Sequence, residues 1–236
     1  MVLPLKSNIS VFIGIPQLSR HDKYSGYLGS IMNCINAQET DVKLLKPYVT
    51  PSHTGKFQAG EISKLEAIVG RMNNIVDKFM VSNASHLYIN DGDVEPPPHA
   101  IDTLIRHDVD VASGVYPYQD FRERNTMVFG RIKPDRPCGN MTTIDWGDMK
   151  GRVFGEKDKW SGGSGCLLIK RRVFKKYHPK LSPLRFTRRA PDRTCGADMY
   201  FWKRVQDAGF TARVDANVVC GHIPNCRLHD IDKWLT

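Results

Sequence analysis

The chain contains no apolar run of membrane-spanning length, and residues 1–5 open without the apolar core of a secretory leader. Both absences point to a cytoplasmic protein, soluble or peripheral to a membrane. Cysteine is sparse: 6 in 236 residues cannot staple a chain this long, so reduced thiols are expected. Internal repeats and low-complexity tracts are missing, which removes solenoids and disordered arrays from consideration. Acidic charge is also short. Against 34 Lys and Arg stand 25 Asp and Glu, a net charge of +9, with a pI near 9.3. Such a surface attracts polyanions, whether nucleic acid, anionic lipid or phosphorylated glycan, and charge alone does not choose among them. What is present is a hydrophobic content of 41%, enough for one sizeable core with an appended subdomain.

Residues 8–15 (NISVFIGI) form a near-continuous apolar run closed by Pro16. A strand buried on both faces reads this way, which predicts a parallel sheet. A polar loop follows over 17–29, then a short helix at 30–37, a second strand at 42–49 and a loop at 51–60. The spacing predicts a long helix over 61–81: Ile62, Leu65, Ile68, Val69, Met72, Ile75, Val76, Phe79 and Met80 recur at three- and four-residue steps. Arg71, Asn73 and Asn74 lie on or beside its polar side, where a solvated face is the default reading.

The most informative stretch is 87–94, LYINDGDV. A β-prone run ends in two carboxylates, Asp91 and Asp93, separated by Gly92. A strand that delivers Asp-x-Asp at its C-terminal end places hard oxygen ligands at the sheet edge where open α/β folds bind ligands. Oxygen-only ligation suits Mg²⁺ or Mn²⁺. Asp-Gly is equally a strong turn dipeptide, so taken alone the stretch fits a tight turn as well as a metal site. Beyond it come three prolines at 96–98, a helix at 100–107 and a strand at 109–116. Alternating strands and helices argue for an α/β fold with a mainly parallel sheet flanked by helices. Residues 119–159 break the pattern, with at most short strands near 127–132 and 142–146, and read as an irregular subdomain or lid across the strand edge. The glycine-rich loop 160–165 (WSGGSG) implies close backbone approach, as in a ligand-lining loop, with a flexible hinge the competing reading; it leads to a strand at 166–169 and a helix from 173. A basic irregular loop fills 180–193, and a helix at 198–208 ends at Gly209. Asp198 at its start is a candidate N-cap. Late strands at 211–214 and 217–220 lead directly to Gly221 and His222.

The order of these pieces resembles GT-A-fold glycosyltransferases, in particular the family 2-like group. The resemblance runs from Asn8 to about His222. It rests on the first strand ending in Pro16, the Arg/Asn-bearing helix segment 70–79, and the Asp91–Gly92–Asp93 strand end. It also rests on the small-residue loop 161–165 and on Gly196–Ala197–Asp198…Phe201…Arg204…Ala208–Gly209–Phe210 leading to Gly221–His222. The resemblance implies one GT-A-like (Rossmann-like) catalytic domain over 1–236. Its nucleotide-sugar-binding half would be 1–118, and 119–236 its acceptor-side half with a small irregular subdomain. It implies that Asp91, Asp93 and His222 hold Mn²⁺ or Mg²⁺, and that Asp198 is the general base. Pro16, Arg71 and Asn73, with Asp91 and Asp93, would bind the donor, a UDP- or GDP-sugar. Trp160, Gly162, Gly163 and Ser164 would line the sugar and acceptor side. Two departures stand out: Ala197 occupies a position that is usually Glu, and Met72 separates Arg71 from Asn73 where the family has an adjacent pair.

From Lys170 to Arg193 ten cations face one acid, Asp192. If this segment borders the acceptor side, Arg188 and Arg189 would favour an anionic acceptor: a lipid-linked phosphate, a phosphorylated glycan or nucleic acid. A merely solvated basic surface is the competing reading. Three further alternatives are open. Cys220, His222, Cys226 and His229 are possible zinc ligands, though in no common finger spacing. A sugar-nucleotide pyrophosphorylase would share the sheet and carboxylates, but 16–20 (PQLSR) lacks the glycines of its phosphate loop. A non-catalytic basic relative that binds nucleic acid or glycan would explain Ala197.

Overall fold

The structure is a computed structural model that describes residues 8–16, 28–51, 64–117, 129–131, 146–155, 160–175, 186–187, 197–223 and 228–230. In chain order the elements are β1 (Ser10–Ile15), α1 (Leu28–Asn36), β2 (Lys43–Leu44), β3 (Tyr48–Val49), α2 (Lys64–Val81), β4 (His86–Asn90), β5 (Val94–Glu95), α3 (Ala100–Arg106) and β6 (Val111–Val115). They continue with β7 (Phe129–Arg131), α4 (Trp146–Met149), β8 (Val153–Phe154), β9 (Trp160–Gly162), β10 (Cys166–Lys170), α5 (Arg171–Lys175), α6 (Ala197–Asp207), β11 (Ala212–Val219) and β12 (Gly221–His222). A 3-10 turn at Leu228–Asp230 follows.

Eight strands form one sheet in the order β2-β1-β4-β10-β6-β11-β8, with β3 also on β1. Pairs of β1 with β2, β3 and β4, and of β6 with β11, are parallel. Strand β10 runs antiparallel between β4 and β6, and β8 antiparallel to β11. The sheet is therefore mixed and mainly parallel. Its central strands are buried on both faces: all five residues of β4 and of β6 are buried. The alternation of side chains sorts them into two cores. Leu87, Ile89, Leu167 and Ile169 face a layer with Ile75 and Phe79 of α2, Phe174 of α5 and Phe201 of α6. Tyr88, Cys166 and Leu168 face Ile31 of α1 and Leu104 of α3.

Several sequence expectations shift. The strand predicted at 42–49 is two short pieces, because Pro47 offers no N–H to the ladder between them. The late strands are one, β11, whose register shifts between Val214 and Val219. Trp146, expected in a strand, opens α4; the rest of 142–146 lies outside the described residues, as do the loops 17–27 and 52–60. Strands β8 and β9 were not expected. Three residues are too few for a period to show, and β9 is built from residues that read as loop. Helix α6 ends as anticipated. Gly209 has φ +76°, Phe210 N–H donates to the Val205 carbonyl and Gly209 N–H to that of Gln206, which is the paired C-terminal closure that a left-handed glycine permits.

Candidate active site

The parallel strands all end at one edge, and that edge gathers the polar residues. Pro16 follows β1, residues 91–93 follow β4, Tyr116 and Pro117 follow β6, Ser164 precedes the antiparallel β10, and Asp198 sits in the first turn of α6. Both readings of 91–93 hold together. The stretch is a turn, closed by Val94 N–H to the Asp91 carbonyl at 3.1 Å. Asp91 N–H is held by the Gly165 carbonyl, also at 3.1 Å, and the Pro16 carbonyl lies against Gly92.

After the turn, β5 pairs with β12 so that Val94 stands opposite His222, and Ile223 N–H donates to the Asp93 carbonyl at 2.8 Å. The main chain thus carries His222 to Asp93, with Nε2 3.7 Å from Oδ2. The other ring nitrogen, Nδ1, lies 2.6 Å from the Pro117 carbonyl. A carbonyl only accepts, so Nδ1 carries the proton and Nε2 is the atom turned to Asp93. The Tyr116 ring meets the imidazole edge-on at 5.2 Å.

The charges act on one another. Burial, then the Asp93 carboxylate and that of Asp198, push Asp91 up to about 7, against the opposing pull of His222 and a hydrogen bond from Ser164. Burial raises Asp198, although Met199 N–H donates to its Oδ1 at 2.8 Å and works the other way. Burial by itself would lower His222, but the bond to and charge of Asp93, with Pro117 and Asp91, outweigh it and leave the imidazole raised. Burial also raises Tyr116, with Asp91, Asp198 and Asp93 adding to it. Asp91, Asp93, Tyr116, Asp198 and His222, from four parts of the chain, therefore share one field.

The donor set suits a hard divalent cation. Two carboxylates that repel each other, and an imidazole whose outer nitrogen is fixed by a carbonyl, are the usual first and supporting contacts of such an ion. Among the described residues no three His, Cys, Asp or Glu side chains converge as a preformed metal centre. Mg²⁺ and Mn²⁺ commonly take one or two protein carboxylates and draw their remaining oxygens from water and substrate phosphate. The zinc alternative loses its first ligand, because the Cys220 thiol is buried in the core and hydrogen-bonded to the free thiol of Cys166; Cys226 lies outside the described residues.

Other expected site residues fall differently. Asp198 is the second residue of α6 and not its N-cap. Arg71 is buried. Asn73 clasps the backbone of Phe186, donating to its carbonyl at 2.9 Å and accepting from its N–H at 3.0 Å. Phe186 in turn stacks on Phe201 at 4.4 Å, so Asn73 ties α2 to α6, and contact with a donor through its amide would break those bonds. Trp160 and Gly162 belong to β9, and Trp160 packs edge-on against Phe154 at 5.2 Å. The close approach that the glycines imply is internal: a Cβ on Gly162 would overlap Ser113, and one on Gly165 would come within 2.7 Å of Val94 and 2.9 Å of Tyr116. Gly163 and Ser164 are buried, and Ser164 reaches Asp91.

The basic segment requires the largest correction. Because β10 is antiparallel, Cys166 lies beside Asn90 but Lys170 lies beside His86, at the opposite edge of the sheet. Lys170 pairs with Asp108 at 2.6 Å and Arg172 with Asp110. Arg171 donates to the carbonyls of Phe79, Ser82 and Ala84 at 2.6–2.8 Å, closing the C-terminus of α2. These three cations serve the fold. Arg188 and Arg189 lie outside the described residues. Two residues of the site were missed, Tyr116 and Asn90. Tyr116 could have been noticed as a phenol at the end of a predicted strand.

No family model matches the sequence, and no curated protein matches it. Among solved structures, the crystal structure of A197 from STIV matches with a TM-score of 0.51 at 14% identity, over 92% of this chain and 86% of that one. The inositol-1-phosphate CTP transferase from T. maritima matches with a TM-score of 0.41 at 10% identity, over 96% of this chain and 75% of that one. The likeness to A197 is one of fold alone: an α/β fold with a mixed, mainly parallel sheet flanked by helices. Among the described residues no helix is long and apolar enough to cross a membrane.

Proposed function

We propose that the chain transfers a sugar from a nucleotide-diphosphate sugar, a UDP- or GDP-sugar, to a hydroxyl acceptor, with Mn²⁺ or Mg²⁺. The observation that carries this reading is the meeting of Asp91, Asp93, His222 and Asp198 at the C-terminal strand edge, with His222 3.7 Å from Asp93 and Asp198 near enough to raise Asp91. Three of these groups suit a cation and its diphosphate. The fourth, Asp198, comes from the first turn of α6.

In the reaction the acceptor O–H gives its proton to the Asp198 carboxylate as its oxygen bonds to the anomeric carbon. The bond from that carbon to the diphosphate oxygen breaks, and the electron pair leaves with the nucleoside diphosphate. Direct displacement of this kind inverts the anomeric configuration. Asp91, Asp93 and His222 would hold the cation, which when bound supplies Lewis-acid neutralisation of the leaving charge. A positioned base contributes on the order of 10²–10⁴-fold. Burial raises Asp198 above an ordinary carboxylate, which makes its ionised form the better proton acceptor. Pro16 would border the nucleotide, and Ser164 would keep Asp91 oriented. An anionic acceptor would find its partners among the cations beyond Lys175, Arg188 and Arg189 included, because Lys170, Arg171 and Arg172 are engaged elsewhere.

The test is thermal melting with a panel of nucleoside diphosphates, with and without Mn²⁺, followed by assay of sugar release from the corresponding sugar nucleotides. At a ligand concentration of 100 Kd, stabilisation of about 2.7 kcal/mol is expected, and only with the cation present. If no diphosphate stabilises the protein with either cation and no sugar nucleotide is consumed, the reading is wrong.

A further inference from the structure

We infer that Asn90 is the positioning residue of the site: its buried carboxamide sets the 91–94 turn and thereby fixes the separation of Asp91 and Asp93. This deepens the metal-dependent reading above and rests on it. Asn90 is fully buried, and every atom of its amide is engaged. Nδ2 donates to the Asp91 carbonyl at 2.8 Å and to the Val94 carbonyl at 2.9 Å, while Oδ1 accepts from the Tyr88 hydroxyl at 3.1 Å. The orientation of the amide is dictated by its neighbours. Two carbonyls require the nitrogen and a hydroxyl donor suits the oxygen, so the reversed amide would set oxygen against two carbonyl oxygens.

The main chain anchors the turn through Asp91 N–H on the Gly165 carbonyl, Val94 N–H on the Asp91 carbonyl and Ile223 N–H on the Asp93 carbonyl; Gly92 offers no side chain, and the Asn90 amide adds a side-chain tie from within β4. Asn90 spans from the first carbonyl of the turn to the carbonyl of the strand beyond. It thereby joins the end of β4 to β5, the strand on which His222 is registered. Tyr88, two residues earlier on the same face of β4, is the support behind it. This network explains a buried Asn and Tyr beside Leu87 and Ile89 in β4, because a buried amide is retained only when its hydrogen bonds are met. Outer contacts of this kind typically change metal affinity by about 10–100-fold.

The experiment compares Asn90→Ala, Tyr88→Phe and Asp93→Ala with the wild type. Mn²⁺ binding is followed by electron paramagnetic resonance, with and without UDP or GDP, beside a melting curve and the kcat and KM for the sugar nucleotide. Tyr88→Phe keeps the ring in the core, so its fold survives even if Asn90→Ala is poorly stable. The expected result is that both network variants weaken Mn²⁺–diphosphate binding about 10-fold or more, Tyr88→Phe with a melting temperature near that of the wild type, whereas Asp93→Ala abolishes binding. Wild-type Mn²⁺ affinity in folded Tyr88→Phe and Asn90→Ala, with Asp93→Ala inactive, overturns the role of Asn90 and leaves the metal site standing. Mn²⁺–diphosphate binding that is absent in the wild type, or unchanged in Asp93→Ala, overturns the metal reading and this inference with it.

Discussion

His222 Nε2 stands 3.7 Å from Asp93 Oδ2, and the chain reaches this arrangement through main-chain bonds, by pairing β12 with β5 and anchoring Ile223 N–H on the Asp93 carbonyl. Two residues 129 positions apart in sequence (222 minus 93) are thus neighbours whatever their side chains. Removing the imidazole should leave the backbone pairing intact. His222→Ala is expected to fold, with a melting temperature within a few degrees of wild type, and to lose at least 10-fold in Mn²⁺-dependent diphosphate affinity. Calorimetric titration checks it; unchanged affinity would remove His222 from the site.

The proposed role of Asp198 as a base can be separated from its place in the helix. Met199 N–H donates to Asp198 Oδ1, a bond that the oxygen of an asparagine can also accept. Asp198→Asn therefore keeps the helix start and loses the ability to take a proton. The expected outcome is a fall of about 10²–10⁴-fold in kcat for transfer with donor binding nearly unchanged. A variant that retains most of its turnover would leave Asp198 as a structural residue.

Arg171 offers a test of the corrected basic segment. Its guanidinium forks across the last carbonyls of α2 and lies over the Phe79 ring at 4.3 Å. Arg171→Ala is expected to cost about 2–3 kcal/mol in urea denaturation, since hydrogen bonds to a charged group contribute about 1.5–3 kcal/mol and do not add. Lysine should restore little, because it cannot fork. Acceptor KM per folded molecule should not move; a rise in KM without loss of stability would return this residue to the acceptor side.

Stability should fall in acid at a specific place. The Asp110 carboxylate is pushed up by burial but pulled down further by Arg172 and by the N–H and hydroxyl of Thr211, each 3.0 Å away, so it sits below the usual carboxylate range. A folded-state value below the unfolded one gives stabilisation that is complete above the unfolded value and is lost as pH falls through the folded one. Arg172 is largely exposed, so its ion pair contributes little; the Thr211 bonds carry the effect. Asp110→Ala should cost about 1–3 kcal/mol at pH 7, and the gap to wild type should shrink as pH drops below about 3.8. A gap independent of pH would contradict this.

Much of the architecture was legible in the sequence because long-period signals survive in a single chain. The stripe from Ile68 to Met80 and the apolar runs of β1, β4 and β6 lie where periodicity placed them. The Asp-x-Asp strand end could be singled out because strand ends are visible, whereas the roles expected of Ser164, Asp198 and His222 rest on the resemblance to GT-A-fold glycosyltransferases. What remained hidden depends on pairing. Nothing in CLLIK reveals that β10 runs antiparallel, and that single inversion moves Lys170, Arg171 and Arg172 to the far edge of the sheet. Asn73 looked like a surface residue because its partner, Phe186, is 113 positions away. Asn90 and Tyr88 read as strand filler, since only tertiary structure shows which carbonyls the amide meets.

The most direct measurement is calorimetric titration of the protein with uridine and guanosine diphosphates, with Mn²⁺ present and absent, repeated on Asp93→Ala. The account predicts that the wild type binds at least one of the two diphosphates only when Mn²⁺ is present, and that Asp93→Ala, folded by its melting curve, loses that binding. Binding that is independent of the cation, or equal in Asp93→Ala and wild type, would contradict it.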